Sequence, residues 1–194
     1  MEIVKMDFKA VIREHQETVE QLLQQSIPTI ENIAKKCSDA LKDGHMIFLC
    51  GNGGSAADCQ HIAAELVGRF VTERRSLPAI ALTTDTSNLT AIANDYGYEY
   101  VFARQVESLV REGDVVIGIS TSGNSKNVVR AFKVAKEKGA TLIGMTGKKD
   151  GEIERLADLC LQVPSIVTAR IQECHIMVGH MICAYIDEVI GLEP

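Results

Sequence analysis

A histidine and a glutamate, His61 and Glu65, stand four residues apart shortly after the glycine-rich segment 51–55, GNGGS. On a helix this spacing places both side chains on one face, where they could bind one metal ion or act as a base and its orienting partner. A surface ion pair has the same spacing and is the simpler alternative. What weakens that alternative is that the predicted helix begins at glycines, which let the backbone approach a ligand closely, and that its first N–H groups favour anions or sugar oxygens.

Four hydroxyl side chains lie within the six residues 120–125, STSGNS, directly before another predicted helix. Hydroxyls and helix-terminal N–H groups together can bind a phosphate without any positive charge. The alternative is a capped helix start in a polar turn, for which one serine is enough. Because four hydroxyls exceed that need, the pattern favours a phosphate site.

Residues 83–96 follow a short apolar run and are predicted to form a loop. From this loop Asn94 and Asp95 could reach the same side of the molecule as the two polar segments. Taken alone, Asp95 is more typical of a cap or turn residue.

The last helical pattern contains Gln172, Glu173, His175 and His180. At about 100° per residue, His180 lies about 20° from Glu173 and about 80° from Gln172. Geometry alone therefore pairs His180 with Glu173. Each histidine taken alone is more typical of a core or surface position than of a ligand.

Short apolar runs alternate with helical patterns along most of the chain. The runs predict five strands, at 46–50, 79–82, 114–119, 141–145 and 159–163, and the patterns predict helices at 55–68, 98–111, 125–138, 151–157 and 168–190. This alternation is typical of a three-layer α/β sandwich, a five-stranded parallel sheet flanked by helices. Residues 7–41 predict two helices, or one bent near Pro28. Ligands of such sheets bind beyond the carboxyl ends of the strands.

The 194 residues suit a single domain, with a helical N-terminal arm at 1–43 and an α/β core at 44–194. The net charge of −6 argues against nucleic acid as a partner, since nucleic-acid binding needs clustered cations. Six cysteines without a C-x-x-C pair indicate a reducing compartment. With neither a signal-peptide pattern nor an apolar run of about 20 residues, we expect a cytoplasmic protein with no membrane partner.

Four segments together resemble the sugar isomerase (SIS) family over nearly the whole chain: GNGGSAAD followed by His61 and Glu65, ISTSGNS at 119–125, TGKKDG at 146–151 and ARIQE at 169–173. The resemblance implies a homotetramer with active sites between subunits. It also implies one divalent metal ion per subunit, usually Zn²⁺, held by His61, Glu65, Gln172 and His180.

The same resemblance implies roles for individual residues. Glu65 is the expected base and His180 the complementary acid or base, while Arg69 reaches a neighbouring site. The implied substrate contacts are Asn52, Gly53, Gly54, Ser55, Glu65, Arg69, Asn94, Asp95, Ser120, Thr121, Ser122, Ser125 and Gln172. Some members carry an aspartate where this chain has Ala169, so no role of that acid applies here.

Among SIS members the segments are most similar to those that isomerise a seven-carbon sugar phosphate. The implied reaction converts D-sedoheptulose 7-phosphate to D-glycero-D-manno-heptose 7-phosphate through an enediol. This is the first step towards nucleotide-activated heptose for lipopolysaccharide or other surface glycans. The alternative is a non-catalytic SIS adaptor, similar to the paralogue that associates with the replication initiator. The joint presence of His61, Glu65, Gln172 and His180 favours the enzyme.

Overall fold

The computed structural model describes residues 6–148 and 150–191, and within them five parallel strands form one sheet. The strand order is β2-β1-β3-β4-β5. Their bounds are β1 Ile47–Gly51, β2 Ala79–Ala81, β3 Val115–Ser120, β4 Thr141–Gly147 and β5 Leu159–Val163. The predicted five-stranded parallel sheet is confirmed. Its short strands are apolar on both faces, and such strands are buried when helices cover both sides of the sheet.

Eight α-helices and one 3₁₀ turn accompany the sheet in the described residues. They are α1 Phe8–Gln25, α2 Ile27–Lys42, α3 Gly54–Val67, α4 Thr86–Tyr96, the 3₁₀ turn Tyr98–Tyr100, α5 Ala103–Leu109, α6 Lys126–Glu137, α7 Glu152–Leu156 and α8 Thr168–Gly191. The N-terminal region forms two helices that meet at Ser26, which confirms the first of the two predicted alternatives. Pro28 lies in the first turn of α2, where its missing N–H costs nothing.

Side chains alternate along each strand and build two cores, one on each face of the sheet. Ile47 and Leu49 of β1 belong to a core shared with α1, α2, α3 and α8. Phe48, between them, belongs to the core beneath α5, α6 and α7. This arrangement confirms the predicted three layers. It also places α3 and α8, which carry His61 and His180, in the same layer.

The predicted loop at 83–96 is wrong, because residues 86–96 form α4. Asp85 caps its start by accepting a hydrogen bond from the Asn88 amide at 2.9 Å. Among the described residues none of α4 is buried, so its sequence lacks the strong apolar repeat that identifies other helices. The helix predicted at 98–111 is likewise shorter, since the 3₁₀ turn occupies its beginning and α5 starts at Ala103.

The polar segments meet at the carboxyl edge of the sheet. β1 and β3 are neighbours in the sheet, with Gly51 paired to Ile119, so segments 51–55 and 120–125 leave it side by side.

Within the described residues we find no helix that combines the length and the apolarity needed to cross a bilayer.

Candidate active site

His61, Glu65 and His180 converge in the structure, and we call these three residues the donor cluster. The His61 Nε2 atom lies 3.1 Å from Glu65 Oε1 and 3.4 Å from His180 Nε2. One ligand atom from each residue lies within 4.8 Å of the other two. The two imidazole rings meet edge to face at 4.9 Å. The cluster is half-open, since the His61 side chain is 49% exposed and that of Glu65 is 24% exposed.

Close packing of α3 against α8 brings the donor cluster together. Gly179 precedes His180 and faces Ile62, which follows His61. A Cβ atom on Gly179 would lie only 2.6 Å from Ile62 Cδ1. The missing side chain therefore lets the two helices approach closely at the level of the cluster.

The donor set fits a tetrahedral metal ion. Zinc lies about 2.0–2.1 Å from histidine and carboxylate ligands, which places neighbouring ligand atoms about 3.3 Å apart. Two of the three donor separations, 3.1 and 3.4 Å, agree with that spacing, and the third, between Glu65 and His180, lies within 4.8 Å. Two imidazole nitrogens and one carboxylate oxygen are also the ligand types that zinc prefers.

Gln172, predicted as a fourth ligand, lies elsewhere on α8. Its amide packs over Gly54 at the start of α3, where an added Cβ would be 2.6 Å from the amide nitrogen. Eight residues separate Gln172 from His180, which corresponds to about 12 Å along the helix axis. Gln172 therefore lies at the sheet edge beside the glycine-rich segment.

The helix-wheel pairing of His180 with Glu173 is wrong. Glu173 instead forms an ion pair with Arg170 and contacts His15, whose Nδ1 atom lies 2.7 Å from the carboxylate. The ring of His180 faces His61 on one side and stacks on Phe70 on the other, with centroids 5.4 Å apart. A helix wheel describes one helix, whereas these contacts come from α1, α3 and the segment after α3.

Phe70 was missed by the sequence analysis because a single aromatic residue carries no chemical pattern. It follows Arg69, which is largely exposed and lies with its Nε atom 3.7 Å from Glu73. Arg69 also donates to the Val71 carbonyl at 3.3 Å. The Arg69 side chain is thus exposed enough to reach a ligand or a second subunit, although it already contacts Glu73 and Val71.

Residues 120–125, which we call the hydroxyl loop, hold three serine hydroxyls close together. Ser120 Oγ lies 2.8 Å from Ser125 Oγ and 3.3 Å from Ser122 Oγ. Within the described residues Ser125 makes no capping bond to α6, and the Val128 amide donates to Asn127 Oδ1 at 3.0 Å, so the amides of Lys126 and Asn127 are the ones left for a ligand in that turn. Hydroxyls and N–H groups thus converge as an anion site requires. Thr121 is half-buried in the same turn.

Gly123 gives the hydroxyl loop its turn. Its φ of +68° is strained for residues with a side chain, and it lies against Gly151 at the start of α7. A Cβ on Gly151 would be 2.6 Å from the Gly123 carbonyl oxygen. The amide of Glu152 also donates to Asn124 at 3.0 Å. The TGKKDG segment therefore supports the loop from behind.

Asn52 is held by two residues that sequence reasoning missed. Its oxygen accepts from Asn127 at 2.8 Å and from the Tyr98 hydroxyl at 3.1 Å, while its amide donates to Asn127 at 2.9 Å. These partners lie 46 and 75 positions away, so no local pattern could indicate them. The next residues, Gly53 with a φ of +57° and Gly54, turn the chain into α3, and Ser55 is buried.

Asn94 and Asp95 lie in the last turn of α4 rather than in a loop. Both are exposed, and the Asn94 amide donates to the Asp95 carboxylate at 2.8 Å. Three residues later the chain reaches Tyr98, which is bonded to Asn52. The end of α4 therefore approaches the glycine-rich segment.

Two titratable side chains near the site have shifted pKa values. Burial raises the pKa of Asp58, one turn before His61 on α3, and the nearby His61 opposes the rise. Burial lowers the pKa of His175 to about 4, although its hydrogen bond to the Thr146 carbonyl opposes the fall. His175 is thus a neutral core residue that ties α8 to β4, next to the Ser120 end of β3.

Comparison with known proteins agrees with these observations. A family model described as "SIS domain" matches residues 11–147. A phosphoheptose isomerase from a Nitratiruptor species is 60% identical over 175 residues, which cover 90% of this chain and 94% of that protein.

Solved structures extend the similarity to the fold. The phosphoheptose isomerase from Neisseria gonorrhoeae superposes with a TM-score of 0.88 at 44% identity, covering 93% of this chain and 96% of that one. The enzyme from Francisella tularensis gives 0.90 at 34% identity over the same shares. The chain therefore belongs to the SIS domain family and, within it, to the phosphoheptose isomerases.

Proposed function

We propose that the protein converts D-sedoheptulose 7-phosphate to D-glycero-D-manno-heptose 7-phosphate. The observation that carries the proposal is the convergence of His61, Glu65 and His180 on one point of a chain whose relatives are phosphoheptose isomerases. The reaction moves a proton from C1 to C2 through a cis-enediol. It needs a base near the carbon atoms and an acid near the oxygens.

Glu65 and His180 fill these two roles. The Glu65 carboxylate removes the proton from C1 and returns it to C2, and the His180 imidazole exchanges a proton with the substrate oxygens. Glu65 Oε1 faces His61 at 3.1 Å, and we assign the proton transfer to the second oxygen. A cation on one oxygen makes the whole carboxylate a weaker base, and assigning the proton transfer to the other oxygen keeps that oxygen free to accept the proton.

One Zn²⁺ ion per subunit fits the donor cluster. His61, Glu65 and His180 would hold it, and because Gln172 of the same subunit lies about 12 Å along α8 from His180, the predicted fourth ligand would come from an adjoining subunit. When bound, the ion would polarise the substrate carbonyl and stabilise negative charge on its oxygen. The spacing of the donor atoms supports this assignment.

The remaining predicted contacts bind and orient the sugar. The hydroxyl loop binds the phosphate. Segment 52–55 and Gln172 bind the sugar hydroxyls. Asn94 and Asp95 approach from the end of α4. Binding energy from the phosphate, remote from the reacting carbons, then positions C1 and C2 at the donor cluster.

The assembly we propose is a homotetramer whose subunits complete each other's sites. Three apolar side chains on α1 support it, since Phe8, Ile12 and Leu23 are 58–73% exposed and suit an interface. The exposed Arg69 then serves a neighbouring subunit. The protein would act in the cytoplasm, on the route to nucleotide-activated heptose for surface glycans. Light scattering after gel filtration gives the subunit number directly.

An isomerase assay tests the proposed reaction. The protein is incubated with sedoheptulose 7-phosphate, and the aldose product is detected by NMR of its anomeric proton. We expect turnover, its loss with a chelator and its return with Zn²⁺. We expect His180→Gln to be inactive and His45→Gln, which alters a histidine beside Asp114 at the opposite edge of the sheet, to remain active.

A folded, zinc-loaded protein that binds sedoheptulose 7-phosphate in calorimetry without forming product would contradict the proposal. That result would instead favour a non-catalytic SIS binding protein. Turnover that survives complete metal removal would refute the role of zinc while leaving the isomerase intact.

A further inference from the structure

The segment between α3 and β2 folds back over the end of α3. The carbonyls of Glu65 and Leu66 accept hydrogen bonds from the Arg74 guanidinium at 2.8 and 3.0 Å. The carbonyl of Val67 accepts from the hydroxyl of Ser76 at 2.8 Å. The last turn of a helix leaves its carbonyls without helical partners, and here a cation satisfies those that follow His61.

Arg74 also forms a buried ion pair with Asp187 of α8. The Arg74 Nε atom lies 2.7 Å from Asp187 Oδ1, and the two side chains are 1% and 2% exposed. The other carboxylate oxygen accepts from the amides of Val71 and Thr72 at 2.8 and 2.9 Å. Burial disfavours the Asp187 charge, but these hydrogen bonds outweigh it, so the pKa of Asp187 lies below its ordinary value.

The ion pair connects the two helices that carry the donor cluster, α3 with Glu65 and α8 with His180. On one side Arg74 binds the backbone of Glu65 itself. On the other side Asp187 lies seven residues after His180, on the same face of α8. The segment that Asp187 holds includes Phe70, whose ring stacks on His180 at an interplanar angle of 25°.

Stability alone does not require a charged pair at this position. Removing two charges from water is costly, and well-packed apolar residues often replace a buried ion pair without loss of stability. An apolar pair, however, could not hold the Glu65 carbonyl and the Val71 and Thr72 amides. The hydrogen bonds fix the relative position of α3, α8 and the intervening segment.

We propose that Arg74 and Asp187 are positioning residues that set the distance between Glu65 and His180. This inference rests on the proposed function and adds residues outside the donor cluster to it. Arg74 acts through the Glu65 backbone, and Asp187 acts through the Phe70 segment on the His180 ring. Loss of the pair lets the last turn of α3 move relative to α8.

Two substitutions test the proposal. Asp187→Asn removes the charge with little change in shape, and Arg74→Lys keeps the charge but loses the planar group that bridges Asp187 and Glu65. In each we expect kcat to fall at least about tenfold, as for residues that orient metal ligands, while KM changes by less than about twofold. Measurements are made where circular dichroism shows the variant to be folded. If Asp187→Asn does not fold, the kinetics of Arg74→Lys alone decide whether the proposal holds.

Cobalt binding gives a readout that does not depend on turnover. Co²⁺ titrated into the metal-free protein should bind about tenfold more weakly to each variant, with an altered visible spectrum. Val106→Ala is the matched control, because Val106 is buried in the core on the other face of the sheet. It should lower the unfolding temperature without changing kcat, Co²⁺ affinity or spectrum.

The outcomes separate the inference from the proposed function. Variants that behave like Val106→Ala, less stable but unchanged in kcat and in Co²⁺ binding, would overturn the positioning role while the isomerase stands. A wild-type protein without isomerase activity would overturn the proposed function. The weakened Co²⁺ binding of the variants would still support the positioning role.

Discussion

The donor cluster and the hydroxyl loop are built in different ways. The donor cluster depends on two long helices, α3 and α8, and on a buried ion pair between residues 113 positions apart. The hydroxyl loop depends on one turn at the end of one strand, with its serines within six positions. We infer that the cluster is sensitive to how helices pack, whereas the loop is sensitive to single side chains. Substitutions that separate catalysis from substrate binding test this difference.

The largest effect is expected from Glu65→Gln. The substitution preserves shape but removes the base, so kcat should fall about 10³-fold. The unfolding temperature should stay close to that of the wild type, because Arg74 binds the backbone of this residue and not its carboxylate. Steady-state kinetics and thermal unfolding check both statements. Activity within tenfold of the wild type would remove Glu65 as the base.

Gly179→Ala should damage the donor cluster through packing alone. The new methyl group meets Ile62 and pushes α8 away from α3, which should lower kcat about 30-fold, or about 2 kcal/mol. The double variant Gly179→Ala with Ile62→Ala removes both colliding atoms, Cδ1 and Cγ1, and should recover most of the activity. Ile62→Ala alone serves as the control. A double variant as slow as Gly179→Ala would contradict the packing explanation.

Acid should weaken the connection between α8 and the sheet at His175. Because its pKa is about 4 in the folded protein and about 6.5 when unfolded, the unfolded state binds more protons between these values. The stability that neutral His175 gives the folded state is therefore complete above pH 6.5 and is lost as the pH falls towards 4. Between pH 7 and pH 5 we expect a loss of about 2 kcal/mol in the free energy of unfolding.

Urea unfolding of the wild type and of His175→Gln at several pH values measures how much unfolding free energy is lost through protonation of His175. Glutamine can donate to the Thr146 carbonyl but does not titrate. The variant should therefore lose about 2 kcal/mol less than the wild type between pH 7 and pH 5. Equal losses in the two proteins would mean that His175 is not the titrating group.

Ser122→Ala should give the smallest effect and only on binding. Loss of one hydroxyl from the phosphate site should raise KM about tenfold, or about 1.4 kcal/mol, with kcat little changed. Ser108→Ala on α5, where the hydroxyl bonds only its own helix among the described contacts, is the matched control. A loss of kcat with constant KM would mean that Ser122 acts in catalysis. The hydroxyl loop would then not differ from the donor cluster in the way proposed.

The sequence predicts the sheet and most helices because their signals are local. Each strand is a short apolar run, and the helices that cover a core show apolar repeats. The exception, α4, packs only partly buried side chains against the rest of the molecule and so lacks such a repeat. Most element ends shifted by one or two residues, which reflects how weakly sequence marks them, whereas α5 begins at Ala103 instead of the predicted residue 98 because the 3₁₀ turn comes first.

The site was predictable where its chemistry is local and unpredictable where it depends on packing. The spacing of His61 and Glu65 and the serines of residues 120–125 indicated chemistry directly. The Asn52–Asn127 pair, the Phe70 stacking and the Arg74–Asp187 pair join distant positions, and the helix wheel therefore paired His180 with the wrong residue. The metal, the roles of individual residues and the tetramer stay predictions drawn from the resemblance.

The lack of buried residues in α4 has a consequence for substrate entry. Amide hydrogens in elements with few buried contacts exchange with solvent through local opening, whereas those of core elements exchange only when the whole domain unfolds. In deuterium exchange we expect the α4 amides to exchange early and those of β3, which is buried throughout, to exchange last. Because Asn94 and Asp95 lie in the last turn of α4, local opening of this helix would displace these two predicted sugar contacts while the donor cluster keeps its geometry.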